Sequence, residues 1–273
     1  MRPIVDCHCH IYPEKIAARA VESIGRFYDI PMGMDGTEEG LLRAGEAAGI
    51  THYLVFSVAT TPRQVQSVNR FIAERVAANE GRMTGLGTMH PESEDMAGDM
   101  EHLLSLGLKG VKLHPDIQGF CLDDPRNREI YRLADEAGIP VLLHTGDTRY
   151  DYSNPNRLIP MLEAYPNLLF IGAHFGGWSL WEDAPGLLHR YPNLMVDCSS
   201  SLYQLTPEKA AELIRIYGAD RVLFGTDYPM WEPTEEIARF DAIPLTEEEK
   251  DLILWKNAER VFGLSTAKKV EKS

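Results

Sequence analysis

The chain repeats one unit eight times. Short apolar runs fall at residues 4–10, 51–58, 83–89, 108–113, 140–143, 168–173, 194–197 and 222–225, with a helix-forming stretch between one run and the next. The helices predicted are 38–48, 61–79, 94–106, 126–137, 155–165, 180–191 (broken near Pro185), 206–217 and 246–262. Several carry their own punctuation: Thr61-Pro62 and Thr206-Pro207 place a capping hydroxyl before a first-turn proline, and Thr246-Glu247-Glu248-Glu249 is a capping box. The runs are continuous in apolar character, not alternating, which marks strands buried on both faces, as in a parallel sheet. Eight strand–helix steps in 273 residues match an α/β fold of the (β/α)8 TIM-barrel type. An open doubly wound sheet would want a glycine-rich phosphate turn after an early strand, and the sequence has none. One domain over 1–264 is therefore expected, with 11–37 as a lid insertion containing a helix at 14–28, and with 265–273 as a polar, frayed tail.

The strand ends carry the chemistry. In Asp6-Cys7-His8-Cys9-His10 the two histidines are two residues apart, so on a strand they leave the same face. Two imidazoles on one strand end make half of a metal site, and Cys7 and Cys9 are sent to the opposite face to pack as small apolar groups. The later runs end at Ser57, His90, His114, His144, His174, Ser200 and Asp227. Six of the nine histidines thus stand at strand ends, and only His52, His102 and His189 do not. In a barrel that end is the active-site face. Lys112 shares a face with His114 on the fourth strand, and an inward lysine is costly unless a carboxylate, a metal-linked group or substrate lies near it.

Composition removes several classes of function. A formal net charge of -14 disfavours nucleic acid and anionic membranes as partners, because both call for basic patches. No apolar run approaches the length of a membrane span, and no secretory signal pattern precedes the first strand, so a cytoplasmic protein is expected. The four cysteines, Cys7, Cys9, Cys121 and Cys198, show no CxxC spacing and are read as reduced thiols.

Five strand-end motifs and a closing helix resemble the metal-dependent amidohydrolase superfamily, and within it amidohydrolase family 2, which includes aminocarboxymuconate semialdehyde decarboxylase-like enzymes. The motifs are DCHCH, GVKLHP, LLHTG, GAHFGG and LFGTDYP, and the helix is WKNAERVFGL with Asn257 at the recurring position. The resemblance implies that His8, His10, His144 and Asp227 bind a divalent metal and that His174 is a catalytic histidine, or one set behind the ligands. Two-metal relatives place a carboxylated lysine or a glutamate near the position of Lys112. The expectation here is one ion, with zinc first and manganese, iron or nickel as alternatives.

Three imidazoles and a carboxylate around an open position describe a catalytic metal, not a structural one. Bound water brought to a pKa near 7 would then serve hydrolysis, with Asp227 as general base and His174 polarising the oxyanion. The expected activity is hydrolysis of a C–N or C–O bond in a small molecule: an amide, cyclic amide, lactone or ester. The alternative is non-oxidative decarboxylation of a small aromatic or dienoic acid on the same site. A third reading is a barrel that binds without catalysis. His114, Lys112, Arg149, Tyr150 and Trp178 are the expected substrate contacts, with Arg149 able to fork onto a carboxylate. The partner is a small-molecule substrate, and self-association into a homo-oligomer is left open.

Overall fold

A computed structural model describes residues 2–265 of the chain; apart from Ser265, the expected polar tail lies outside the described residues. The chain divides into two compact units. One comprises residues 2–55, 78–84 and 198–265, and the other residues 56–77 and 85–197.

The first unit holds β1 (Val5–His10), α1 (Glu14–Tyr28), α2 (Glu38–Ala47) and all but the last residue of β2 (His52–Phe56) and of β3 (Met83–Gly85), in the sheet order β1-β2-β3. It also holds α9 (Pro207–Tyr217), β9 (Val222–Leu223), α10 (Pro233–Asp241), α11 (Glu247–Asp251) and α12 (Asn257–Phe262). Every residue of β2 and β9 is buried, as the continuous apolar runs require. The Thr206 hydroxyl accepts from Lys209 N, Pro207 occupies the first turn, and Ala210, Ala211, Leu213, Ile214 and Tyr217 form the buried stripe of α9.

The second unit holds α3 (Val65–Ala78), β4 (Gly87–Thr88), α4 (Met96–Ser105), β5 (Val111–Leu113), α5 (Pro115–Gln118), α6 (Asn127–Ala137), β6 (Val141–Leu143), α7 (Pro155–Ala164), β7 (Phe170–Gly172), α8 (Ala184–Leu188) and β8 (Leu194–Asp197). Strands β4 to β8 run parallel in chain order, with Gly87 opposite Val111, Val111 opposite Val141, Val141 opposite Phe170 and Phe170 opposite Leu194. In α6 the buried positions Asn127, Ile130, Tyr131 and Ala134 recur at helical spacing, and the helix stops at Gly138 in the left-handed region (φ 65°). Tyr131 meets Phe170 edge-on, with centroids 5.4 Å apart, so this helix is keyed to β7 by an aromatic contact. The buried Asn69 amide accepts from Thr88 N (2.7 Å) and donates to Thr88 O (3.1 Å), which pins α3 to β4.

All eight expected strands are present, the third interrupted at Leu86 into β3 and β4. The helices differ in four places. The 180–191 helix shortens to α8, which starts at Ala184 with Pro185 in its first turn; a proline cannot stand deeper in a helix without losing a hydrogen bond. Helix α5 is additional, started by His114 as cap and Pro115 in the first turn. Helix α10 is also additional: its buried face is Pro233, Glu236 and Phe240, so a carboxylate occupies a core position and hides the apolar period. Burial raises the Glu236 pKa to about 7, and Arg239 pairs with one of its oxygens. The 246–262 helix passes through a π-helical turn at Leu252–Lys256, between α11 and α12.

That turn has a structural role. A π turn skips one carbonyl of the helical ladder, and the Ile253 carbonyl accepts from Phe224 N (3.0 Å), next to β9. One turn later the buried Asn257 amide donates to Ala219 O (2.8 Å) and Val222 O (2.7 Å). The last helix is thereby tied to the strand that leads to Asp227. Replacing Asn257 by Ala leaves two carbonyls short of a partner and is expected to cost about 2 kcal/mol, read as a lower urea midpoint. An unchanged midpoint would show that this tie contributes nothing.

Candidate metal centre

In the first unit, β1 presents His8 and His10 on one face as i, i+2 neighbours, with His8 buried and His10 half-buried. Asp227 follows β9 with its backbone at φ 60°, an uncommon conformation for a residue with a side chain. Its Oδ1 lies 3.4 Å from His8 Nε2 and 3.7 Å from His10 Nε2. These separations are too long for good hydrogen bonds, but donors each about 2.1 Å from a tetrahedral ion stand about 3.4 Å apart. One donor atom from each of the three residues lies within 4.8 Å of the others. The residues present therefore fit a divalent cation that takes nitrogen and oxygen ligands.

The surroundings aim these donors. Asp6 is fully buried: its Oδ1 accepts from Thr226 N (2.9 Å) and His8 N (3.2 Å), and its Oδ2 from Thr226 Oγ1 (2.6 Å). Burial pushes its pKa up to about 6, against the pull of these donors. The His8 Nδ1 is bonded to Ser199 Oγ (3.1 Å), which leaves Nε2 turned to Asp227. Cys7 and Cys9 are buried, their thiols against the carbonyls of Val5 and Asp6, and burial drives the Cys9 thiol well above its usual pKa. The 11–37 segment joins the loop after β9: Gly33 N and Met34 N donate to Met230 O and Pro229 O, and Tyr228 Oη donates to Asp35 Oδ1.

In the second unit a different set converges. The His114 and His144 rings stack with centroids 4.0 Å apart and planes 6° from parallel. His144 Nδ1 is 3.1 Å from His174 Nε2, and His144 Nε2 is 3.0 Å from Gly146 O and 3.6 Å from Asp116 Oδ2. Donor atoms of His114, Asp116 and His144 also lie within 4.8 Å of one another. Burial, with Asp147 adding to it, raises the Asp116 pKa to about 6 although Ser153 donates to its Oδ2, and its Oδ1 has no hydrogen-bond partner. His174 has φ 60°, and its backbone N–H donates to Asp197 Oδ1 (3.1 Å). Gln118 receives His114 N on its Oε1 (2.8 Å) and donates to Ala59 O and Met89 O (both 2.9 Å), which binds three strand-end loops together.

The expected site residues are thus distributed. His8, His10 and Asp227 come together in one unit, while His144, His174 and His114 come together in the other. Lys112 is fully buried on β5, opposite Thr88 and Leu142, with its ammonium 5.2 Å from the centre of the Phe56 ring. Arg149 forks onto Asp147, with Nε and Nη2 at 2.9 and 2.7 Å from its two oxygens, and its guanidinium lies over the rings of Tyr150 and Trp178. That edge of the guanidinium is thus engaged inside the protein. His90 takes Glu92 N on its Nδ1 (3.2 Å). Residues to which the sequence reading gives no role at the site are Asp116, Asp147, Ser199 and Thr226, and Asp6 is expected only as a candidate partner of Lys112. Asp6 and Thr226 do lie inside the DCHCH and LFGTDYP motifs, and Ser199 opens a serine triplet straight after a strand.

Gly225 shows how closely His8 is packed. A Cβ there would stand 2.7 Å from the His8 Cβ and 3.2 Å from the Ser199 Cβ. Gly225→Ala is therefore expected to push His8 aside and weaken metal binding by tenfold or more, roughly the scale of disturbed ligand support. Metal content after dialysis checks this, and full retention with wild-type affinity would contradict it.

A family model described as Amidohydrolase matches residues 5–264, across both units. The 2-amino-3-carboxymuconate-6-semialdehyde decarboxylase of Dictyostelium discoideum is 24% identical over 245 residues, 74% of this chain and 67% of the relative. Among solved structures, an uncharacterized TIM-barrel protein from Bordetella bronchiseptica superposes with a TM-score of 0.80 at 24% identity, covering 96% of this chain and 99% of that one. A dihydroxybenzoic acid decarboxylase from Polaromonas sp., solved with bound manganese and the inhibitor 2-nitroresorcinol, gives a TM-score of 0.75 at 17% identity, covering 97% and 98%. The two structural likenesses show the fold, an α/β TIM barrel, as the eightfold strand–helix rhythm predicts. With 5–264 matched from the first strand to the last helix, the chain belongs to the Amidohydrolase family.

Proposed function

We propose that this protein is a metal-dependent, non-oxidative decarboxylase of a small aromatic or dienoic acid. The observation that carries the proposal is the convergence of His8 Nε2, His10 Nε2 and Asp227 Oδ1 on one point, in a family member whose named relatives include decarboxylases. This puts the alternative of the sequence reading ahead of hydrolysis. The proposed cofactor is one divalent cation, manganese or zinc, held by His8, His10 and Asp227; the manganese in the dihydroxybenzoic acid decarboxylase supports including that ion. The proposal keeps His174 as the catalytic histidine, the role that the family resemblance implies.

Loss of CO2 from a ring or diene leaves an electron pair on carbon, which must be stabilised and then protonated. When bound, the cation supplies the positive charge that draws an anionic oxygen of the acid and withdraws electron density from the reacting carbon. The protein's own share is proton handling and orientation. His174 Nε2 and His144 Nδ1, 3.1 Å apart, share one proton, so a proton taken from one imidazole can be replaced through the other. The cluster of Arg149 and Tyr150, from the loop after β6, with Trp178, from the loop after β7, is proposed to select flat acids.

The test is a substrate panel given to protein reconstituted with Mn2+ or Zn2+. Hydroxybenzoic acids, amino- and carboxy-substituted dienoic acids, lactones and N-acyl compounds are followed for CO2 and for hydrolysis products. The expected result is CO2 release from one class of unsaturated acid, with solvent deuterium placed on the carbon that lost it. Hydrolysis of a lactone or amide with no CO2 from any acid would overturn the proposal.

A further inference from the structure

Three consecutive serines follow β8, and their contacts are specific. Ser199 Oγ bonds to His8 Nδ1 (3.1 Å), Ser200 Oγ donates to Asp227 Oδ2, and Ser201 Oγ donates to Ser199 O (3.0 Å). Ser200 receives in turn: Trp231 Nε1 donates to its Oγ at 2.8 Å. An indole N–H can only donate, so the Ser200 oxygen must accept there, and its single proton remains for another partner. Asp227 Oδ2 and Met230 Sδ (3.3 Å) are both in reach, and a carboxylate is far the stronger acceptor. The indole is held as well, stacked on Tyr203 with centroids 4.4 Å apart and lying 5.4 Å from the Arg239 guanidinium.

We propose that Ser199 and Ser200, with Trp231 behind them, are positioning residues that aim His8 and Asp227 at the cation. This rests on the ligand assignment above and adds to it the device that holds the ligands. Each ligand has two atoms able to coordinate, and each serine occupies one of them. His8 is left with Nε2 and Asp227 with Oδ1, the two atoms that face each other at 3.4 Å. Ser200 and Asp227 both stand in the left-handed backbone region, at φ 44° and φ 60°. Two such residues joined by one hydrogen bond are a strained pair kept in place by its surroundings, a pattern found where geometry serves function.

The test compares Ser200→Ala, Ser200→Gly and Trp231→Phe with His8→Ala, reading the Mn2+ or Zn2+ dissociation constant by chelator competition and the visible spectrum of the Co2+-loaded protein. Ser200→Gly removes the hydroxyl while relieving the backbone at φ 44°, so it keeps the test open if Ser200→Ala folds poorly. Trp231→Phe keeps a ring for the stack and removes only the N–H. We expect about 10–100-fold weaker binding in both Ser200 variants, a smaller loss in Trp231→Phe because a rotating hydroxyl still reaches Asp227 part of the time, and an altered cobalt spectrum in all three. Wild-type affinity and spectrum in Ser200→Gly, with metal lost in His8→Ala, would overturn the positioning role and leave the ligand assignment standing. Full metal binding in His8→Ala would overturn the assignment, and this inference with it.

Discussion

The buried carboxylate of Asp6 is the contact on which the rest of the centre depends. It accepts the backbone N–H of His8 from its own strand and both donors of Thr226, a residue 220 positions away in sequence. Few side chains could do this: an acceptor with two oxygens is needed, short enough to stay beside the strand. Its effect is to fix β1 and the Thr226-Asp227 turn in one register, so that His8, His10 and Asp227 meet. The energetic cost is visible in the Asp6 pKa, raised to about 6 by burial. Hydrogen bonds from three donors keep the group in place despite that cost.

Much of this was legible in the sequence, because the signals were periodic or paired. The strand–helix rhythm predicted all eight strands, and the spacing of His8 and His10 predicted a shared face with Cys7 and Cys9 behind it. Asn257, noted only for its position in the closing helix, turns out to tie that helix to the carbonyls of Ala219 and Val222. What stayed hidden depended on contacts without a local pattern. Helix α10 buries Glu236 where an apolar residue would have announced it. The left-handed backbones of His174, Ser200 and Asp227 fall on residues other than glycine, so nothing local in the sequence marks them. Arg149 read as free to take a substrate carboxylate, and only the folded chain shows it forked onto Asp147.

The centre also has a consistent charge logic. Asp6, Asp227 and Glu236 are all buried in the first unit, and Arg239 pairs with Glu236. A divalent cation between His8, His10 and Asp227 would add the positive charge that a buried carboxylate calls for. No helix among the described residues is long and apolar enough to cross a membrane, and a net charge of -14 sets the chain apart from nucleic-acid binders. Ser199 and Ser200 add contacts to His8 Nδ1 and Asp227 Oδ2 within the same centre.

The central claim is that strand-end histidines and a carboxylate, not the neighbouring thiols, hold one divalent ion. X-ray absorption at the metal edge, on protein reconstituted with a single equivalent of zinc or manganese, addresses it directly. The account predicts a shell of nitrogen and oxygen donors with the outer scattering of imidazole rings. A sulfur shell at about 2.3 Å, bringing Cys7 or Cys9 into the site, or a spectrum without imidazole scattering, would contradict it.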